Sequence, residues 1–538
     1  MRIVCDAIPG GNTGNVVASR LSENIEVNVL VLEAGPSNFD VIQSEVPFLG
    51  PELAAPNIYN WNFTTVPQKG LGGREIPYPR GHILGGSSSI NWMLYTRGPS
   101  SDFDRYASYT GESSWSWCNM LPHFKRIERW TQPADGHNTT GQYTPEVHGY
   151  NGKLAVGLSG YPRSIDGDVI EAMRQAGGVW KFNQDYNSGN PLGFGWLQTT
   201  IDKSRRSSSA TAYLPPAVLQ RSNLYVLVNT QVSRVLQTSS SGSTPAFRGV
   251  EFRASGGGPL TTLTANKEVV ISAGTVGTPH ILLNSGIGNT TRLQQVGVEP
   301  LVDLPEVGEN MADHSVLGNP WFVNSTDTFE TLRRSPALEA AALAQWHVNG
   351  TGPYVDTVVD HIGFMRISDN LVPNPDPASG PNAPHYEVIV SNGIPPAPAP
   401  ATGNFLVLTT VVVSPTSRGC ISLASSDPFT PPLIDPALLS TAFDRTVMRE
   451  AVRTVIRYVS MPAWSGYVLS PISSALETNA TDAMIDDYVR DNAGTLFHPV
   501  GTAAMSPKGA NNGVTDPDGR VKKVHGLRVA DLSVLVCF

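Results

Sequence analysis

Residues 3–35 constrain the fold more than any other stretch of this chain. Ile3 to Ile8 predicts a short apolar strand, and Pro9-Gly10-Gly11-Asn12-Thr13-Gly14 predicts a turn. Asn15 to Leu21 predicts a helix carrying Val16, Val17 and Leu21, and Val27 to Leu32 a second strand. That strand is β-branched and apolar enough for a parallel sheet buried on both faces. It ends at Glu33-Ala34-Gly35. In a dinucleotide turn, glycines let the backbone approach a pyrophosphate at a helix N-terminus, and an acid about 20 residues on takes the ribose. Gly11 and Gly14 hold the second and third glycine positions, and Glu33 lies 19 residues after Gly14. Pro9 holds the first, where proline fixes φ and removes a donor. Alone, the pattern fits either a dinucleotide site or an ordinary glycine-rich turn.

Composition narrows the function class. Hydrophobic residues make up 40% of the 538, which excludes a disordered chain. Charged residues are only 15%, and Gly 51 with Pro 43 predicts many loops. The net charge of −9 comes with no basic cluster, so no nucleic-acid partner is expected. No apolar run reaches the ~18 residues of a membrane span. Cys5, Cys118, Cys420 and Cys537 form no CxxC pair, so no metal site is expected and the thiols read as free. Sequons at Asn62, Asn138, Asn289, Asn324, Asn349 and Asn479 suit a secreted glycoprotein. The opening MRIVCDAIPGG has no apolar h-region, so no signal peptide is visible in the chain as written.

Further strands are predicted at Leu224–Val228, Val232–Gln237 and Val269–Ser272. A helix is predicted from Thr278 with Pro279 in its first turn, closed by Ser285-Gly286-Ile287-Gly288. Residues 365–405, rich in Pro and Asn, read as loops, and 444–459 and 482–491 as helices. A βα start with a mixed middle predicts an α/β domain carrying an inserted second domain.

Three segments carry the functional reading. The first runs Pro79-Arg80-Gly81-His82-Ile83-Leu84-Gly85-Gly86-Ser87-Ser88-Ser89-Ile90-Asn91-Trp92-Met93-Leu94, a Gly/Ser run able to press its backbone against a flat ring. The second runs from Ser272-Ala273-Gly274-Thr275 through Thr278-Pro279-His280 to Gly288. The third is Phe497-His498-Pro499-Val500-Gly501, followed by Gly526-Leu527-Arg528-Val529-Ala530-Asp531. Together they resemble the glucose-methanol-choline (GMC) family of flavin oxidoreductases. The blocks Arg205 to Leu214 and Asp303 to His314 agree, so the resemblance spans roughly residues 10–535. Within the family the chain is most similar to fungal aryl-alcohol oxidases, through Tyr59 to Thr65, Asp102 to Ala107 and Phe497 before His498.

The resemblance implies a Rossmann-like FAD-binding domain (residues 1–100, 200–312 and 485–538). An inserted α+β substrate-binding domain with an antiparallel sheet would take 101–199 and 313–484. It implies FAD-dependent oxidation of primary, aromatic alcohols by hydride transfer to the flavin, with His498 as base. No His lies between Ile90 and Arg97, so the flavin is expected to be non-covalent. Gly11, Gly14, Glu33, Ile83, Gly86, Asn91, Trp92, Met93, Leu94, Val232 and Asp531 would hold the cofactor. Trp92 and Phe497 would wall the substrate site. The expected partners are a small alcohol and oxygen or a quinone, with the protein a monomer outside the cell. A pyranose dehydrogenase using quinones is the nearest alternative. The family's second catalytic His or Asn and closing helix do not follow Asp531, which leaves a truncated, non-catalytic paralogue as the other.

Overall fold

The structure is a computed structural model and describes residues 7–241, 244–395 and 400–536. Ile3, Cys5 and Cys537 lie outside the described residues. The predicted strand–helix–strand unit is present as β1 (Ala7–Pro9), α1 (Asn12–Leu21) and β2 (Val29–Leu32). β2 is central and pairs in parallel with β1 and with β3 (Leu224–Leu227). All four β2 side chains are buried, as a strand covered on both faces requires. The predicted strand at 232–237 extends over Thr230–Ser241 and forms an antiparallel ribbon with Thr244–Ala254 and Thr261–Thr264.

β4 (Val269–Ile271) pairs in parallel with Leu527–Val529 and leads into α2 (Gly274–Asn284). The helix therefore starts before Thr278, and Pro279 sits in its second turn. Proline there cannot donate to the carbonyl four residues back. That carbonyl, on Thr275, accepts the Thr502 hydroxyl instead, at 2.7 Å. A partner distant in sequence makes the proline tolerable, which local rules do not foresee.

A six-stranded, mainly antiparallel sheet forms the second layer. It contains β5 (Ser315–Val323), β6 (His361–Met365), β7 (Tyr386–Ser391) and β8 (Phe405–Val412). α3 (Ala442–Val459) precedes β9 (Val468–Pro471), and α4 (Asp482–Asn492) precedes β10 (Gly494–Thr495). The strand order is β6-β7-β8-β5-β9, with β10 also on β5. β7 overturns the loop reading of 365–405. Its flanks carry the Pro and Asn, while Tyr386 to Ser391 is buried throughout between two partner strands.

Side chains on a strand alternate between faces. Leu317, Val388, Val390, Leu406 and Leu408 face Val447, Val452 and Val455 of α3 in one core. The alternate residues Val316, Gly318, Glu387, Ile389, Val407 and Thr409 face a cavity. A second core, beneath the parallel strands, draws mainly on residues 18–32, 210–307 and 503–534. Cys118 is exposed and Cys420 half-buried, both as free thiols. Among the described residues no helix is long and apolar enough to cross a membrane.

Candidate active site

The cavity has a volume of about 1130 Å³. Pockets for one small ligand span roughly 300–1,000 Å³, so this one has room for a large cofactor and a substrate. One end lies at the start of α1. Gly11 is the N-cap of that helix and supplies no side-chain cap, so the first backbone N–H groups are free for an anion. A Cβ on Gly11 would come within 2.8 Å of the Ser272 carbonyl, and one on Gly86 within 3.1 Å of Gly11 Cα. Glycine at these positions lets α1, the Ser-rich loop and the end of β4 meet. Ser88 N–H docks the loop onto Asn12 Oδ1 at 2.9 Å. Ser272 lines the cavity, and its buried hydroxyl has no hydrogen-bond partner among the described residues. Glu33 closes the same end. It accepts the Gly35 N–H at 2.8 Å, and burial pushes its carboxyl up to about 8. The open helix end, the orphan hydroxyl and the acid fit the pyrophosphate and ribose of a dinucleotide.

Gly86, Asn91, Trp92, Met93, Leu94 and Val232 all line the cavity, as the sequence implied. Gly14 and Ile83 do not. Gly14 is buried inside α1, and Ile83 packs in a small core with Val41, Leu53 and Ile90. Asn91 Oδ1 accepts from Arg206 Nη1 at 2.7 Å and from Met93 N–H at 3.2 Å. Met93 is held with φ at 65° by this contact. Asp531 also lines the cavity, but its carboxylate is already engaged. Oδ2 accepts Gly274 N–H (3.0 Å) and Thr278 Oγ1 (2.6 Å), and Oδ1 accepts Ser533 N–H (2.9 Å). It closes the start of α2 beside the cofactor space.

Phe497 and His498 line the far end. Phe497 has φ 65°, a left-handed conformation that costs a bulky residue about 1–3 kcal/mol. Its N–H donates to Thr495 Oγ1 at 2.8 Å, and its carbonyl accepts from Arg80 Nη2 at 2.7 Å. Asp313 anchors this turn. Its Oδ1 accepts His498 N–H and His314 N–H, both at 2.8 Å. Its Oδ2 accepts Tyr78 OH (2.5 Å) and Thr495 Oγ1 (2.6 Å).

Sequence reasoning assigned no role to His314, Asp313 or Arg80. Asp313 and His314 stood together in the Asp303-to-His314 block, and Arg80 in the first segment, but nothing local linked them to His498. His314 Nδ1 lies 3.2 Å from His498 Nδ1. A neutral imidazole has one donor and one acceptor nitrogen, so two that meet through Nδ1 hydrogen-bond when one carries the Nδ1 proton and the other the Nδ1 lone pair. With His498 as the Nδ1 donor, its own lone pair stands on Nε2. The His498 ring opens to the cavity but lies deep in the molecule, and desolvation there, then His314 and the Arg80 guanidinium, push its imidazole down to about 3, so it is neutral.

Two models of one family match the chain, the N-terminal one over residues 8–316 and the C-terminal one over 415–536. The chain belongs to the GMC oxidoreductases. This GMC oxidoreductase is 39% identical to the dehydrogenase eriK of Hericium erinaceus, covering 98% of this chain and 89% of that one. It is also 39% identical to pyranose dehydrogenase 3 of Leucoagaricus meleagris, covering 98% and 88%. Among solved structures, an FAD-dependent oxidoreductase from Chaetomium thermophilum superposes with a TM-score of 0.86 at 27% identity, covering 99% and 95%. A fungal aryl-alcohol oxidase superposes with a TM-score of 0.83 at 23% identity over 99% and 95%, a likeness of fold. The α/β architecture expected from sequence is that of this family.

Proposed function

We propose that this protein binds FAD non-covalently and oxidises primary alcohols on aromatic rings to aldehydes, with His498 as base. The carrying observation is His498 at a cavity walled by Trp92 and Phe497, with Nδ1 3.2 Å from His314 Nδ1 and Nε2 without a partner among the described residues. FAD, when bound, supplies the hydride acceptor that no side chain replaces. The α1 N-terminus and Ser272 would hold its pyrophosphate, and Glu33 its ribose. His498 Nε2 takes the carbinol proton. Half-buried Arg80 places a positive charge beside that proton transfer, which favours the alkoxide. Trp92 and Phe497 flank the substrate ring. Electrons leave to oxygen or a quinone. The flavin domain at 1–100, 200–312 and 485–538 is supported by the core beneath the parallel strands, with Leu423 its outlier. Five exposed sequon asparagines (Asn62, Asn138, Asn324, Asn349 and Asn479) support a glycosylated, extracellular protein.

The test is anaerobic addition of 4-methoxybenzyl alcohol to the yellow protein. The flavin band bleaches if the reading holds. A band that no alcohol bleaches would indicate a non-catalytic flavoprotein. A second reading, sugar oxidation with a quinone acceptor, is favoured by the identity to pyranose dehydrogenases. Bleaching by glucose but not by the benzylic alcohol, with turnover on benzoquinone, selects it.

The pH dependence follows from the neutral imidazole. A base acts in its unprotonated form, and a histidine lowered to about 3 is unprotonated far below the ordinary ~6.5. The acidic limb of kcat/KM for the free enzyme is therefore expected well under pH 6. A limb at pH 6–7, that of an ordinary histidine, would mean that the imidazole is not lowered in the free enzyme.

A further inference from the structure

We propose that Glu387 is a specificity-determining residue that hydrogen-bonds a substrate hydroxyl remote from the carbinol being oxidised. The inference rests on the reading that the cavity takes an alcohol, and it adds what else that alcohol carries.

Glu387 lies on β7, on the face turned to the cavity. Its cross-strand neighbours are Phe364 on β6 and Val411 on β8, both apolar. Ile389 follows it on the same face. On β6, β7 and β8 it is the one ionisable side chain of that face. It is 5% exposed and makes no hydrogen bond among the described residues. A buried acid without a partner is costly, and a natural fold rarely keeps one unless something else satisfies it. Two other buried acids are satisfied internally: Asp313 accepts four bonds, and Glu128 accepts from Arg97 and His148. Glu387 has its free oxygens beside an open cavity instead, so its partner is expected to arrive with the substrate.

The chemistry selects a hydroxyl. Burial alone pushes the Glu387 carboxyl up to about 8, so near neutrality it is an uncharged acid that both donates and accepts. A hydroxyl matches both roles. Phe364 and Ile389 beside it offer apolar surface to the carbon face of a ring.

The test compares the holoenzyme with Glu387→Gln and Glu387→Leu. The paired probes are 4-methylbenzyl alcohol against benzene-1,4-dimethanol, with glucose as a third. Flavin content and melting temperature show that each variant is folded. The leucine variant is expected to raise KM for the dihydroxy probe or glucose about 10–100-fold, the loss of a buried hydrogen bond. Its flavin-reduction rate at saturation and its use of 4-methylbenzyl alcohol should stay within about twofold. Glutamine, which also donates and accepts, should restore much of the loss. An equal loss on all probes, or no loss on any, overturns the proposal. So does a loss confined to an ammonium-bearing probe, 4-(aminomethyl)benzyl alcohol, which would mean a charged carboxylate. If no alcohol bleaches the unaltered protein, the functional reading itself fails. If the alcohols bleach it and the variants discriminate no differently, only this inference does.

Discussion

Replacing His498 by alanine should slow flavin reduction by about 10²–10⁴-fold while flavin stays bound. Removing a positioned acid–base group costs a factor of that order. The cofactor end is built from α1, Glu33 and Ser272, none of which touches this side chain. The backbone turn also survives, because Asp313 holds residue 498 through its N–H. Anaerobic stopped-flow at saturating alcohol reads the rate, and the absorbance spectrum reads flavin retention. A variant that keeps more than about a tenth of the rate would remove His498 from the role of base.

Asp313→Ala should be the most destabilising single change near the site. It strips the acceptor from two hydroxyls, Tyr78 and Thr495, and from two backbone amides, those of His314 and His498. Each buried donor left unpaired costs about 1–3 kcal/mol. The loss is shared where Tyr78 and Thr495 turn towards each other, so about 3–5 kcal/mol is expected overall. Total stability is of order 5–15 kcal/mol, so this is a large fraction. It also releases Phe497, whose left-handed backbone depends on the Thr495 hydroxyl. Asp313→Asn keeps one acceptor oxygen and should fall between. Denaturant midpoints and flavin-reduction rates should drop together across the series. An unchanged midpoint in the alanine variant would mean that the four hydrogen bonds carry no net stability.

The two substitutions separate chemistry from scaffold. In the proposed reaction His498 supplies the lone pair that takes the proton, so its loss should affect rate. Asp313 supplies no reacting atom, and its loss affects the turn that presents Phe497 and His498.

Much of the site was legible along the chain. The strand–turn–helix–strand unit was read from apolar runs and glycines, signals that act within a few residues. Gly11 and Glu33 followed from it, and both line the cavity. His498 was singled out by the family resemblance of the Phe497-to-Gly501 segment, since a histidine before Pro499 reads by itself as a loop residue. Gly14 and Ile83 followed from the same logic but do not line the cavity, because position in a motif does not say which face of a helix or loop meets it. It also misread 365–405. There the composition is that of a loop, yet β7 is a buried strand because β6 and β8 pair with it from both sides.

The amino-acid sequence by itself determined the family and the cofactor-binding start, because each is written in contiguous residues with local physical meaning, and the resemblance it carries proposes His498 as the imidazole that acts as base. Only the tertiary structure decided how that imidazole is set. His314 reaches His498 across 184 positions of chain, and Asp313 joins strands, loop and turn through four hydrogen bonds. Glu387 likewise reads along the chain as one polar residue in an apolar run. Strand pairing, which has no local signature, puts it on the cavity side of the sheet with no partner of its own.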